Sequence, residues 1–288
     1  MPAPAQTTIL HCGHALSESH PLVTGFLRPW AKGVTVDTGG ALEVRIVRAD
    51  GDDAERDGPE ACALRALRGI EADALALPFI VPSRSTKASP VAWDLLKERG
   101  RTGAGRLAVV LDGPGVIVGR AGTEAPALAW LDGLTIAAPD GPVATVLRDA
   151  ARARLSPEAT ADAKLASLPS AGGAPWLLAL DAGQSLTSRV LVLDVAPDVL
   201  AGLPATHAAA LTQGAGAVLS AAGGRALDRA AAVTREAALA KGAYLALPED
   251  RVGEMLDRAA ALRAAWAIDL DQRALLDRIA ALFGTGSY

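Results

Sequence analysis

Aromatic side chains make up only 3% of the 288 residues, and the chain has two cysteines and four histidines. So few aromatics leave the core without the large anchors on which most interiors rest. Half of the residues are apolar, and alanine dominates that half. Alanine is the best helix former but buries little area. Helices should therefore be many and the core thinly anchored, with the five Trp and three Phe as its main anchors.

Two cysteines, Cys12 and Cys62, are too few for a disulfide framework. One bridge in an oxidising compartment and two buried thiols both stay open. No apolar stretch reaches the ~18 residues of a membrane-spanning helix. The net charge is −4, the pI is near 5.6, and no basic run exceeds two residues. A clustered cationic face for nucleic acid is thereby excluded. Also missing are the phosphate-binding loop, G-x-S-x-G, H-E-x-x-H, C-x-x-C and the kinase motifs. The opening "MPAPAQTT" has neither a basic nor an apolar leader segment. Its "APA" resembles the small-residue end left by a cleaved signal peptide, which favours export.

What is present is an alternation of strand and helix signals. "TTILHC" (7–12) reads as a strand. A helix follows, with Leu22, Phe26 and Trp30 at helical spacing and Pro29 placed to bend it. "ALEVRIVRA" alternates as a strand does. The acidic "DGDDAERDGPE" (50–60) reads as a solvated loop without calcium-loop spacing. "CALRALRGI" reads as a short helix, "ADALALPFIV" as an apolar strand, and "PVAWDLLKERG" as a helix. The order βαβαβα argues for a mainly parallel sheet. "GRTGAG" (100–105) reads as a linker, and "RLAVVLDGPGVIVGR" as two strands about a Gly-Pro-Gly turn. Another strand and helix follow in "LDGLTIAAPDGPVATVLRDA", and "PWLLALDA" and "SRVLVLDV" are two more strands. From residue 198 onward the chain is nearly all helix, interrupted by "AYLALP".

Three of the four histidines fall in "HCGHALSESHPLVTGFLRPWAKGV" (11–34). His11 and Cys12 are adjacent on a strand and point to opposite faces, so they do not share one metal. His14 and His20 lie beyond the strand, and no local pattern makes a ligand set of them. No metal and no cofactor is expected. His207 sits in an Ala-rich helix with no triad context around it.

The order of segments resembles the solute-binding proteins of tripartite ATP-independent periplasmic (TRAP) transporters, the DctP-like family. The resemblance is carried by "GHALSESHPLVTGFLRPWAKGVTVDTGGALEVRI", by "ALPFIV" with "SPVAWDLL", and by "WLDGLTIAAPDGPVATVLRDA". "VLVLDVAPDVLAGLP" and "AYLALPEDRVGEMLDRAAALRAAW" extend it to most of the chain. It implies an α/β, two-lobed periplasmic-binding-protein-like fold with mixed sheets and a helical C-terminal third. Residues 1–103 would begin lobe I, 104–186 would form lobe II, and 187–288 would return through the hinge into helices packing on both lobes.

The function implied is capture of a small molecule between the lobes and delivery to the membrane permease subunits of a TRAP transporter. This would be done by a periplasmic monomer that makes and breaks no bond and binds no nucleic acid. The family's carboxylate-clamping arginine is replaced by Ala137, so an atypical ligand is expected. The ligand contacts expected are His14 from the first loop, Phe79 as an apolar wall, Arg84 and Arg120 as donors, and Trp176 as a stacking surface. Asp194 at the hinge completes the set, with Asp181 a further strand-end carboxylate favouring a cationic or hydroxylated ligand. Two other readings stay open. One is a non-transport accessory or sensor protein of the same fold, and the other a metal-binding protein using the His11–His20 region.

Overall fold

A computed structural model describes residues 7–49, 61–112, 115–123, 131, 133–179 and 183–284. The acidic segment 50–60 and Asp181 lie outside these residues. Two mixed sheets form the frame. The first has the order β2–β1–β3–β10–β4, built from β1 (Thr8–His14), β2 (Leu42–Arg48), β3 (Cys62–Ala66), β4 (Arg106–Asp112) and β10 (Arg189–Val195). The second has the order β11–β9–β5–β8–β6–β7. Its strands are β5 (Gly115–Gly119), β6 (Thr135–Ala137), β7 (Arg154–Leu155), β8 (Ala163–Ser167), β9 (Leu177–Ala179) and β11 (Tyr244–Ala246).

Helices cover both faces of the first sheet. On one face α1 (Arg28–Asp37), α6 (Ala205–Thr212) and α7 (Ala217–Ala240) pack against Cys12, Val110, Leu191 and Leu193. On the other, α2 (Ile70–Leu75), α3 (Ser85–Glu98) and α9 (Leu270–Phe283) pack against Val109, Leu111, Val190 and Val192. This is the three-layer solution for a sheet that is apolar on both sides. The second sheet meets α4 (Pro142–Asp149) and α8 (Glu249–Trp266) on one face and α7 on the other. A short helix, α5 (Pro197–Gly202), links β10 to α6. Among the described residues no helix is long and apolar enough to cross a membrane.

Several local features follow from particular residues. Ahead of α1 the backbone makes a wide π turn over Val23–Leu27, and the Arg28 amide donates to the Val23 carbonyl, five residues back. Pro29 then falls in the first turn of α1, where no donor is required of it. The bend expected at Pro29 is thus absorbed just before it. As the edge of its sheet, β4 has outward amides that need partners. Ser220 of α7 accepts from the Val109 amide at 2.9 Å, and Ser89 of α3 accepts from the Leu111 amide at 3.1 Å. Gly224 lets α7 lie on the first turn of α3, because a Cβ there would stand 2.3 Å from the Ser85 carbonyl oxygen. One turn further along α7, Asp228 accepts from the Ser85 and Thr86 amides at 2.8 and 3.0 Å, capping α3 across the interface. Asp269 and Gln272 form a capping box on α9, and Gly284 ends it in the left-handed conformation.

Three expectations are corrected here. "CALRALRGI" contains strand β3, because those residues fill the gap between β1 and β10. "ADALALPFIV" begins with helix α2 and not with a strand. Residues 100–105 join α3 to β4 inside the first lobe, since β4 belongs to the first sheet. The chain therefore passes to the second lobe after Asp112, and the two strands about the Gly-Pro-Gly turn lie in different sheets. It returns between Ala179 and Arg189.

The two cysteines are joined. Cys12 and Cys62 are register partners on adjacent parallel strands, both fully buried, and form a disulfide.

Candidate functional site

The crossings identify the rim of each lobe that faces the other. In the first sheet it is the end of β4 and the start of β10, where Asp112 and Arg189 are register partners. β1 and β3 run with β4 and therefore also end toward this side. In the second sheet the rim is the start of β5 and the ends of β8 and β9. A direct bond joins the two rims: the Ser167 hydroxyl, at the end of β8, donates to Asp112 Oδ1 at 3.1 Å. Asp112 Oδ2 faces Arg189 Nη2 at 3.4 Å.

His14 ends β1 on the same face of the sheet as Cys12. It is 1% exposed, and neither ring nitrogen makes a well-formed hydrogen bond. The nearest carboxylate is Glu18, with Oε1 3.8 Å from Nε2. Glu18 is itself held by Arg28 at 2.5 Å. Burial pushes the His14 pKa down, against the opposing pull of Glu18 and the Leu16 backbone. His20, also buried, is pushed down by burial as well, against the attraction of Asp112. Arg189 and His14 add to the lowering. The His20 Nδ1 accepts from the Leu22 amide at 3.2 Å, which fixes the other ring nitrogen as the one that carries a proton. Two neutral, buried imidazoles thus stand together at the junction end of the first sheet, with Asp112 and Arg189 acting on His20 and Ser167 bonded to Asp112. A neutral imidazole offers one donor and one acceptor, which suits a hydroxyl, carboxyl or amide group of a small molecule.

Of the ligand contacts expected from the sequence, only His14 stands in this group. Phe79 is 0% exposed and packs with Ile117, Ile136 and Trp176 in the core of the second lobe. It pins the first lobe's loop into the second lobe and forms no wall of an open cleft. Arg120 follows β5, whose end points away from the junction because β5 runs antiparallel to β8 and β9. Its Nη1 donates to the Ala159 carbonyl at 2.7 Å. Trp176 lies at that same remote end, 2% exposed, against Gly119, where a Cβ would sit 2.2 Å from the ring. Asp194 is at the far end of β10, bonded to Arg106 at 2.9 Å and Arg65 at 3.0 Å. Arg84 is exposed at the N-cap of α3 and lines a different crevice. Ala137 ends β6 level with Lys164, whose ammonium is taken by Glu158 at 2.7 Å.

Asp112, Arg189 and Ser167 were missed. The available signal was a charged or hydroxyl residue at the junction end of a strand, next to a chain crossing. Among the described residues no group of three His, Cys, Asp or Glu side chains is placed to hold a metal ion.

No protein-family model matches the chain, and no curated protein does. Solved structures match over nearly its whole length. A TRAP solute-binding protein from Rhodoferax ferrireducens T118, in complex with copurified benzoate, superposes with a TM-score of 0.80 at 19% identity, covering 96% of this chain and 98% of that one. A TRAP periplasmic solute-binding protein from Bordetella bronchiseptica with bound (R)- and (S)-mandelate gives 0.75 at 20% identity, covering 96% and 99%. One from Roseobacter denitrificans with bound β-D-glucuronate gives 0.69 at 16% identity, covering 95% and 99%. The chain has the two-lobed α/β fold of these proteins.

Proposed function

We propose that the chain is a solute-binding protein of the TRAP type, which closes its two lobes on a small molecule and presents it to membrane permease subunits. In this reading no bond is made or broken. The fold supports it, and the observation that carries it is His14: a buried, neutral imidazole at the lobe junction with no well-formed hydrogen bond of its own. A buried polar group without a partner is costly, and a ligand that bonds to it recovers that cost. Ser167 and Asp112 touch across the junction, so a ligand seated there contacts both lobes at once. Closure follows from such two-sided contact.

The neighbouring structures hold organic acids. In this chain Ala137 stands where the resemblance places the clamping arginine. Arg189 is a cation that the junction offers in its place, half-exposed and paired with Asp112. The ligand is therefore a small polar molecule, bonded first to His14, in which a carboxylate is a secondary feature. Residence in the periplasm agrees with the Cys12–Cys62 disulfide, which persists in an oxidising compartment. The working form is a monomer.

Thermal-shift screening tests this with organic acids, sulfonates, amines, sugars and divalent metals. A ligand that binds only the folded form raises the Tm. The expected result is a rise of several degrees with a metabolite, lost in His14→Ala. A panel that leaves the Tm unmoved would sink the proposal, and a response to divalent metals alone would replace it with the metal-binding reading.

A further inference from the structure

Most contacts between the lobes bind one connecting segment to another. The loop after α2 lies along the return segment. The Phe79 amide donates to the Ser185 carbonyl at 2.9 Å, the Ser185 amide to the Val81 carbonyl at 2.8 Å, and the Ser83 amide to the Gly183 carbonyl at 3.0 Å. Within the return segment the Ser185 hydroxyl donates to the Thr187 carbonyl at 2.7 Å. Thr187 touches the start of β5, since a Cβ on Gly115 would stand 3.1 Å from its methyl group. These contacts gather the connectors into one hinge and leave the angle between the sheets to others. Helix α7 packs on both sheets, and Gly223–Gly224 fall between Ser220, which bonds β4, and Ala231, which packs on the second sheet. Glycine is the residue that least resists a change of backbone angle.

The bond between Ser167 and Asp112 is of another kind, because it joins the ends of the sheets themselves. Ser167 ends β8 and is the register partner of Gly115. Its hydroxyl donates to Asp112 Oδ1 at 3.1 Å. The acceptor is a carboxylate whose side chain is only 10% exposed, so the bond is charge-assisted and little water competes for it. The second oxygen of Asp112 faces Arg189 of the return strand at 3.4 Å. One carboxylate of the first lobe thus meets the second lobe and the return strand together. We propose that Asp112 is the positioning residue of the junction: with Ser167 it latches the two sheets in the arrangement described above, by contacts that need no solute. A latch of this kind keeps the solute site preformed, and the apparent affinity scales with the fraction of chains latched. That consequence rests on the solute-binding reading, and the latch itself does not.

Pulsed dipolar spectroscopy of the whole chain tests it, with spin labels on Val36→Cys in α1 and Asp257→Cys in α8 and no ligand added. Both positions are exposed, and the native cysteines are held in their disulfide. The expected result is one dominant distance between the lobes. Ser167→Ala should add a second distance and lower the ratio of the first to the second roughly tenfold, the contribution of one charge-assisted hydrogen bond. Asp112→Ala should do the same, and the double variant should go no further, because both changes remove one bond. Ser167→Thr keeps the hydroxyl and should restore the single distance. Loss of packing alone would lower the Tm and leave the distance where it was. A distance unmoved by Ser167→Ala overturns the proposal. So does a Ser167→Thr variant that behaves like Ser167→Ala, or an unaltered chain that already shows several distances. The thermal-shift screen is independent of these outcomes. A solute hit on a chain whose lobe distance ignores Ser167→Ala removes the latch and keeps the solute-binding reading, and a latch without any solute hit does the reverse.

Discussion

Arg263 of α8 donates from Nη1 to the Pro78 carbonyl at 2.6 Å, and both residues are buried. The bond ties a second-lobe helix to a first-lobe loop at the point where that loop enters the second lobe. Met in place of Arg263 keeps most of the aliphatic packing and leaves the carbonyl without this donor. An unsatisfied buried carbonyl costs about 1–3 kcal/mol. Arg263→Met should lower the unfolding free energy by an amount in that range, read from urea denaturation. An unchanged midpoint would mean that the bond contributes nothing to holding the lobes together.

Phe79, the next residue, has φ +55° and an amide that donates to the Ser185 carbonyl at 2.9 Å. A bulky residue in the left-handed region is strained, and the packing of its ring must outweigh that strain. Phe79→Ala should cost roughly 3–5 kcal/mol through the cavity it opens. Glycine relieves the strain that alanine keeps. Phe79→Gly should therefore be at least as stable as Phe79→Ala, the reverse of the usual order, in which glycine is worse by about 0.5–1 kcal/mol. Paired denaturation curves decide it, and a clearly less stable glycine variant would show that the backbone there is unstrained.

The alternation of strands and helices, the apolar β10 and the C-terminal helices could be read from periodicity. Short runs could not. Cys62–Ala66 has helical composition, but the place between β1 and β10 makes it a strand. Ile70–Leu75 is too short for its period to decide between helix and strand.

The candidate site suffered from a different ambiguity. In parallel sheets the carboxyl ends of the strands form the ligand rim. Arg120 and Asp194 stand at the carboxyl ends of β5 and β10, but these strands run against their neighbours, so those ends point away from the junction. Trp176 precedes β9, whose carboxyl end faces the junction, so it too falls at the remote end. Strand direction is a tertiary fact, and no single residue announces it. His14 ends β1, which runs parallel to β2 and β3 and so ends toward the junction.

The Cys12–Cys62 disulfide spans 50 residues of sequence. A loop of that length removes denatured-state entropy equivalent to roughly 4 kcal/mol in the chain-entropy account, and measured values commonly fall at 2–4. The double variant Cys12→Ala, Cys62→Ala should lose about that much stability in urea. Its m value should rise, because the uncrosslinked chain exposes more surface when unfolded. Equal stability of the variant and the parent would show that the crosslink does not constrain the unfolded chain.

The two neutral histidines make stability depend on pH in a defined direction. Burial lowers both pKa values below the ordinary value of about 6.5. Between the folded and unfolded values the unfolded chain binds more protons. The contribution is thus full above about pH 6.5 and is lost as pH falls through the folded values. Stability should drop between about pH 7 and pH 5, and His14→Gln should flatten part of the slope. Nuclear magnetic resonance titration of the imidazole protons provides the direct check. An apparent pKa above 6.5 for His14 would mean that Glu18 dominates, and that the site holds a cation instead of a neutral donor and acceptor.

The sharpest test of the site replaces the methyl group of Ala137 with a guanidinium. Ala137 is half-buried at the end of β6, and its register partner Lys164 is already paired with Glu158. An arginine there adds a cation at the position where the resemblance places one. Hydrogen bonds to charged groups contribute about 1.5–3 kcal/mol each. Ala137→Arg should therefore raise benzoate affinity by roughly tenfold or more over the parent chain. If the carboxylate then shifts from Arg189 to the new guanidinium, Arg189→Gln should weaken benzoate binding less in the Ala137→Arg background than in the parent, a double-mutant cycle read by titration calorimetry. No gain from Ala137→Arg would mean that the end of β6 does not face the ligand, and the assignment of a missing clamp would fall with it.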